Sequence, residues 1–204
     1  TFNTAVGHQA GVAVTTGVHN TLIGATAGDA LTAGGSNTVL GRDALSADTL
    51  GSRAVAIGEA ALQAQNFTTA TEHYNVAVGY AAGANVSTGA QNVLVGGLAG
   101  DALTEGGLNT AIGMHSLGGD TLGSRSTALG YSALLSQNFT TATNGYNVAV
   151  GYEAGLDNAT GQGLTFVGGL AGSNNTTASD NTAVGYNALL TVTTSANNTA
   201  VGTS

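Results

Sequence analysis

A glycine that recurs at fixed intervals constrains this chain more than any other feature. A large aliphatic residue precedes it each time, and the steps between successive positions read 17, 17, 17 and 21, twice over, then 17 three more times. These corner glycines are Gly7, Gly24, Gly41, Gly58, Gly79, Gly96, Gly113, Gly130, Gly151, Gly168, Gly185 and Gly202. A fixed period of roughly 20 residues is typical of a solenoid, whose coils bury their apolar faces only by stacking. We therefore predict one elongated all-β domain over residues 1–204, with about twelve coils of 17–21 residues in four-coil blocks of 72.

The three residues before each corner glycine predict a β-strand. The aliphatic column directly before the glycine consists of Val6, Ile23, Leu40, Ile57, Val78, Val95, Ile112, Leu129, Val150, Val167, Val184 and Val201. Two positions earlier runs the threonine column, which is Thr or Val throughout, and between them runs the middle column, which is mostly Ala. Since strand side chains alternate between faces, the threonine and aliphatic columns share one face. We expect the aliphatic column to fill the coil interior as the structural core, and the middle column, for example Ala183, to face another chain.

Glycine at the corner predicts a positive φ or a close backbone approach, because only glycine tolerates both freely. A phosphate-binding loop is excluded, since the chain has no Lys. A short run after the glycine ends in a small residue, usually Ala, which predicts a second sheet across a thin core.

A recurring Asn begins most repeats: Asn3, Asn20, Asn37, Asn75, Asn92, Asn109, Asn147, Asn181 and Asn198. Stacked coils would align these amides in a ladder, as in other repetitive β architectures. An ordinary turn position explains Asn equally well. Both interpretations stay open at the level of sequence.

Composition excludes several classes of partner and cofactor. A net charge of -8 with three Arg argues against nucleic acid and anionic membrane surfaces, and the absence of Cys excludes disulfides and thiolate metal sites. No apolar run reaches the roughly 18 residues of a membrane span. We expect no cofactor and no metal, since the four His occupy different repeat positions.

Titratable residues are too dispersed for a convincing active site, so we expect no enzymatic activity. Asp48 and Asp120 are equivalent but four coils apart, or roughly 19 Å, which exceeds the spacing of an acid/base pair. Within one block, Asp43, Asp48 and Arg53 are expected to form a surface ion-pair cluster.

Aromatic residues mark two places in the repeat. Phe67 with Tyr74, and Phe139 with Tyr146, lie on the longer returns of the 21-residue coils, while four further Tyr directly follow corner glycines. Exposed aromatics would bind sugars or a protein partner, whereas buried ones would pack against the neighbouring coil or chain. Packing is the preferred interpretation for Phe, and both remain open for Tyr.

The repeat also resembles a known family. Ala54-Val-Ala-Ile-Gly-Glu-Ala-Ala61 and Ser126-Thr-Ala-Leu-Gly-Tyr-Ser-Ala133 are similar to the S-V-A-I-G-x-x-A head repeat of YadA-like trimeric autotransporter adhesins, and to repeats of phage and bacterial tail-fibre-like proteins. The resemblance spans all twelve repeats. It implies a left-handed parallel β-roll, three chains around one axis and display on a bacterial surface. The 17-residue step and the 72-residue block depart from the adhesin pattern.

These observations together predict a non-enzymatic, extracellular fibre segment that mediates surface attachment or forms a surface filament, cut from a longer protein. Its partners would be other copies of itself, as a homotrimer or filament, and an unidentified receptor such as a glycan or matrix protein. A phage tail-fibre shaft is the alternative. Ice binding by the threonine column is a remoter one, weakened by the Val interruptions and by the expected inward orientation of that column.

Overall fold

The computed structural model describes residues 2–203, and within them it contains strands, turns and loops but no helix. The strands are β1 (Thr4–Val6), β2 (Thr21–Ile23), β3 (Thr38–Leu40), β4 (Gly51–Ser52), β5 (Val55–Ile57), β6 (Thr71–Glu72), β7 (Val76–Val78), β8 (Val93–Val95), β9 (Thr110–Ile112), β10 (Gly123–Ser124), β11 (Thr127–Leu129), β12 (Thr143–Asn144), β13 (Val148–Val150), β14 (Thr165–Val167), β15 (Thr182–Val184) and β16 (Thr199–Val201).

One three-residue strand from each coil joins a single parallel sheet of twelve strands. Its register follows the repeat, so that Thr4 lies opposite Thr21 and Ala128 opposite Ala149. At the usual strand spacing of about 4.8 Å, the stack is a rod segment of roughly 50–60 Å. The two longer coils add the short parallel pairs β4–β6 and β10–β12. The prediction of a parallel β-solenoid with about twelve coils is confirmed.

The corner glycines have both properties that the sequence predicts. Their φ angles lie between 127° and 147°, a region that side chains rarely adopt. Each coil is also pressed against the next at this point: a Cβ added to Gly96 would lie 2.6 Å from the carbonyl carbon of Gly113. The corner therefore tolerates no side chain.

The strand faces are the reverse of the sequence-based expectation. From the second to the eleventh coil the middle column is buried, including Ala77, Leu94 and Ala183 at 0% exposure. The aliphatic column points outward, and Leu40 is 46% exposed. The prediction that this column, from Val6 to Val201, fills the coil interior is therefore wrong, as is the prediction that Ala183 faces another chain. The interior is filled from two sides, by the middle column of the strand and by the run after the glycine, where both small residues such as Ala99 and larger ones such as Leu45 are buried.

Large and small residues are exchanged across this thin core. A Cβ on Gly28 would lie 3.0 Å from Leu22, and one on Gly172 would lie 2.5 Å from Phe166. Where the middle column holds Ala128, the position equivalent to these glycines holds the buried Leu134. The exchange also crosses between coils: a Cβ on Gly83, in the same coil as Ala77, would lie 2.6 Å from Leu94 and 3.1 Å from Leu62, which fill this space from the neighbouring coils, as close packing requires.

The run after the corner glycine forms no strand in any described coil, which corrects the prediction of a second sheet there. Its second and fourth residues both have positive φ, as in Asp43 at 57° and Leu45 at 50°. Hydrogen bonds still connect neighbouring coils along this run: the Leu45 N–H donates to the Ala61 carbonyl at 3.0 Å. The left-handed conformation costs non-glycine residues about 1–2 kcal/mol each, which the hydrogen bonds and core packing offset.

The recurring Asn residues form a buried ladder. The Asn92 side chain donates to the Gly106 carbonyl at 3.0 Å, and its Oδ1 accepts the backbone N–H of Asn109 at 3.0 Å. The Asn92 N–H in turn donates to Asn75 Oδ1 at 2.9 Å. Each amide thereby fixes the next coil in register, and the ladder interpretation is confirmed.

Candidate interaction face

The outward side of the twelve-stranded sheet, called here the outer face, consists of the threonine and aliphatic columns. Neither column contains a charged residue. Strands of three residues at about 3.3 Å each, over roughly 50–60 Å of rod, give an area of about 500–600 Å². Soluble monomers rarely expose a contiguous apolar patch beyond a few hundred Å². The outer face is thus large and uncharged enough to be a contact surface.

Two columns of mostly exposed residues border the outer face. The trailing flank directly follows the corner glycines: His8, Ala25, Arg42, Glu59, Tyr80, Gly97, Met114, Tyr131, Tyr152, Gly169, Tyr186 and Thr203. The leading flank lies five residues before them: Phe2, His19, Ser36, Arg53, Tyr74, Gln91, Leu108, Arg125, Tyr146, Gly163, Asp180 and Asn197. Positive φ values along the leading flank turn the chain into the strand, as at Leu108 with 63°.

Neighbouring residues of a flank contact one another along the rod. The rings of Tyr131 and Tyr152 stack with their centroids 5.5 Å apart. The Arg53 guanidinium lies 5.5 Å from the Tyr74 ring centroid and donates to Glu72 at 2.9 Å. The Tyr74 hydroxyl also donates to Glu72, and this bond, followed by the Arg53 bond, lowers the pKa of that carboxyl. These contacts hold exposed side chains in fixed positions.

The candidate interaction aromatics divide into two groups. Tyr74 and Tyr146 are exposed on the leading flank, at 47% and 59%. Phe67 and Phe139 are buried, at 7% and 4%, and anchor the longer returns. The packing interpretation is confirmed for both Phe, which are excluded as surface contacts.

The expected surface cluster of Asp43, Asp48 and Arg53 does not form. Asp43 accepts a bond from Arg42, while Arg53 bonds to Glu72. Asp48 is fully buried instead. Its carboxylate accepts hydrogen bonds from the backbone N–H groups of Gly51 and Phe67 and from the Gln65 amide at 2.8–3.1 Å.

Asp48, Gln65 and His73 form a buried polar cluster that connects the third coil, which holds Asp48, to the longer fourth coil, which holds Gln65 and His73. His73 Nε2 lies 3.7 Å from Asp48 Oδ2 and 2.9 Å from Gln65 Nε2, while its Nδ1 lies 3.3 Å from the Asn75 backbone nitrogen. Burial lowers the pKa of His73 to about 4, against the opposing effect of Asp48. Protonation of His73 would add an N–H donor to a ring whose two nitrogens already face donors, the Gln65 side-chain amide and the Asn75 backbone N–H.

The second block carries the same cluster without an imidazole. Asp120 and Gln137 replace Asp48 and Gln65, and Gly145 stands at the position of His73. Ser126 stands where the first block has Ala54, and its hydroxyl accepts a bond from the Gln137 amide at 3.2 Å. Sequence reasoning missed this cluster. A signal was present, because Asp48 and Gln65 recur one block later as Asp120 and Gln137. All four occupy a coil position that is apolar in the first two coils of each of these blocks.

Variants that exchange the cluster residues of the two blocks should differ in their stability at acid pH. His73 has an ordinary pKa of 6.5 in the unfolded chain and about 4 in the folded chain, so the unfolded state binds more protons between these values. This contribution to stability is therefore complete above about pH 6.5 and is lost as the pH falls towards 4. We expect the double variant Ala54→Ser/His73→Gly, which copies the second block, to lose less stability over this interval in thermal unfolding. Ser126→Ala/Gly145→His should lose more, and identical pH profiles for all three proteins would contradict the assignment.

Within residues 2–203, no group of three His, Asp or Glu side chains lies close enough together to hold a metal ion. The same residues include no helix long and apolar enough to cross a membrane. Comparison with known proteins finds no matching family model, no matching curated protein and no matching solved structure. The geometry of the outer face is consequently the main guide to function.

Proposed function

We propose that the chain is a segment of a non-enzymatic, extracellular attachment fibre, built from three parallel copies that cover one another's outer faces. The aliphatic column, which points outward and is at least partly exposed in every coil, carries this proposal. It runs the whole length of the sheet, and burying apolar area stabilises association by about 25 cal/mol per Å² before the costs of binding. The resemblance to trimeric adhesin head repeats supports three copies in particular. A receptor, such as a glycan or matrix protein, would then bind elsewhere on the rod.

A tail-fibre shaft would use the same assembly on a virion rather than on a cell surface. Both versions require a stiff, non-catalytic rod. The outer face serves the same purpose in each, so the experiment below tests the assembly that they share.

The mass of the protein in solution, without denaturant, tests this proposal. We expect light scattering or native mass spectrometry to give the mass of three chains of 19.7 kDa each. The value should stay constant on dilution into the micromolar range. A monodisperse species of one chain would contradict the proposed fibre.

Ice binding is a second candidate, because the threonine column faces outward on the sheet rather than inward as the sequence predicted. Its Thr side chains repeat in adjacent coils at Thr165, Thr182 and Thr199. Val55, Val76 and Val93 still interrupt the column. Thermal hysteresis in a protein that remains monomeric would favour this candidate, since one face cannot be covered by other chains and also contact ice.

A further inference from the structure

The two flanks of the outer face carry complementary residues in several of the twelve coils. We propose that in the trimer the trailing flank of each chain packs against the leading flank of the next chain, with each coil beside the equivalent coil. This inference rests on the proposed trimer and adds its register and its contacting residues. Charge, side-chain size and the geometry of the coil support it independently.

Cyclic symmetry restricts the register. Rotation about a three-fold axis parallel to the rod moves one chain onto the next without displacement along the axis, which makes each contact heterologous and closes the ring. Six of the 17 residues in a coil separate a leading from a trailing residue, so the two differ in height by about one third of a 4.8 Å step, or roughly 2 Å. Residues from equivalent coils are thus the nearest neighbours across the interface.

Charge agrees with this register. In the fourth coil it brings Glu59 of one chain, which binds Arg42 of its own chain, beside Arg53 of the next, which binds Glu72, so that opposite charges meet and extend an ion-pair network. In the eighth coil it brings Tyr131 beside Arg125, the arrangement of a cation–π contact. The four side chains that meet across the interface are exposed in the single chain. A shift of one coil in one direction would place Arg42 beside Arg53 instead, where like charges repel, whereas the opposite shift would place Tyr80 there and lose the ion pair.

Side-chain size agrees as well. In the seventh coil, Met114 meets Leu108, and both are large and apolar, at 49% and 43% exposure. In the tenth coil, Gly169 meets Gly163, so that neither chain presents a side chain at this contact. A shift of one coil in one direction would leave Tyr152 against Gly163, and large residues would no longer pack against large ones.

Engineered disulfides test the register directly, because the chain has no Cys of its own. Leu108→Cys/Met114→Cys should cross-link under mild oxidation into a covalent trimer on non-reducing gels. The two positions are six residues apart on an extended segment, roughly 15–20 Å, whereas a disulfide needs Cα atoms within about 7 Å. The bond can therefore form only between chains. Ser36→Cys/Arg42→Cys, an equivalent pair in the third coil, provides a second test if the first variant does not fold.

The matched control is Tyr74→Cys/Met114→Cys, whose leading residue lies two coils, or about 10 Å, from the proposed partner. We expect at least tenfold less covalent trimer from it. Comparable or preferential cross-linking of this control, in a protein with the native mass of three chains, would overturn the register and leave the trimer intact. A native mass of one chain would overturn the trimer and the register together, and covalent dimers alone would exclude the cyclic arrangement.

Discussion

Replacing Gly96 by Ala should destabilise the protein by about 2–6 kcal/mol. The residue has a φ of 133°, which costs a side chain about 1–3 kcal/mol. Its new Cβ would also lie 2.6 Å from backbone atoms of Gly113, and overpacking of this kind adds about 1–3 kcal/mol. The next coil cannot move away without breaking the parallel ladder. Urea or thermal denaturation followed by circular dichroism measures the loss.

Gly97→Ala is the matched control. It adds the same methyl group one residue later, where no heavy atom lies within 4 Å of the new Cβ. Gly97 belongs to the trailing flank, where the proposed register sets it beside the flexible side chain of Gln91, so we still expect a change within about 0.5 kcal/mol. Equal losses in the two variants would show that the corner conformation is not what requires glycine.

Val78→Asp/Val95→Asp should abolish the proposed trimer while leaving the coils folded. Both residues belong to the aliphatic column, and burying two adjacent carboxylates against an apolar neighbour costs several kcal/mol without partners. We expect a native mass of one chain and a far-ultraviolet circular dichroism spectrum similar to that of the parent protein.

Two further variants separate assembly from folding. Gln63→Asp places a charge on an exposed residue outside the outer face and its flanks, so the trimer should persist. Ala77→Asp places one in the coil interior, where Ala77 is 0% exposed, and should lose β-structure. If the double Val→Asp variant keeps the mass of three chains, the outer face is not the interface.

Much of this fold could be predicted from the period alone. Once the glycine recurs at a fixed step, stacking, strand register and the coil count follow, because a parallel ladder aligns equivalent residues. The conformation at a corner such as Gly96 was also predictable, since few roles besides positive φ and close approach require glycine so regularly. The Asn ladder was foreseen only as one of two alternatives. Deciding between them needed the hydrogen bonds of Asn92.

The orientation of the strand could not be predicted by the rule that larger apolar residues lie inside. Both faces are apolar or small, so alternation leaves two solutions. Which face is covered depends on the side to which the chain folds back after the glycine, and the alternation within the strand does not encode that side. A signal was nevertheless present: Leu22 coincides with Gly28 and Phe166 with Gly172, whereas Ala128 coincides with Leu134. Residues that exchange volume in this way share a core.

The candidate site was recognised only in part for the same reason. The sequence identifies Tyr74 and Tyr146 as candidate contacts. It assigns the residues of the outer face to the coil interior, however, so the two flanks cannot be recognised as the borders of an exposed face. His73 gave no signal on its own. Its cluster can be recognised in the sequence only by comparing the two blocks. Ala54 and His73 in the first block correspond to Ser126 and Gly145 in the second.

The transverse orientation of the strands also determines how the rod would respond to mechanical load. Its sheet hydrogen bonds point along the long axis, so a pull on the two ends opens them one coil at a time rather than shearing them all at once. A closed coil of 17 residues contributes about 4.8 Å of length, but the same residues span roughly 55–60 Å when extended. Opening one coil would therefore lengthen the rod about tenfold at that point before any covalent bond is stretched. The 21-residue coils would release the longest steps, of roughly 70 Å.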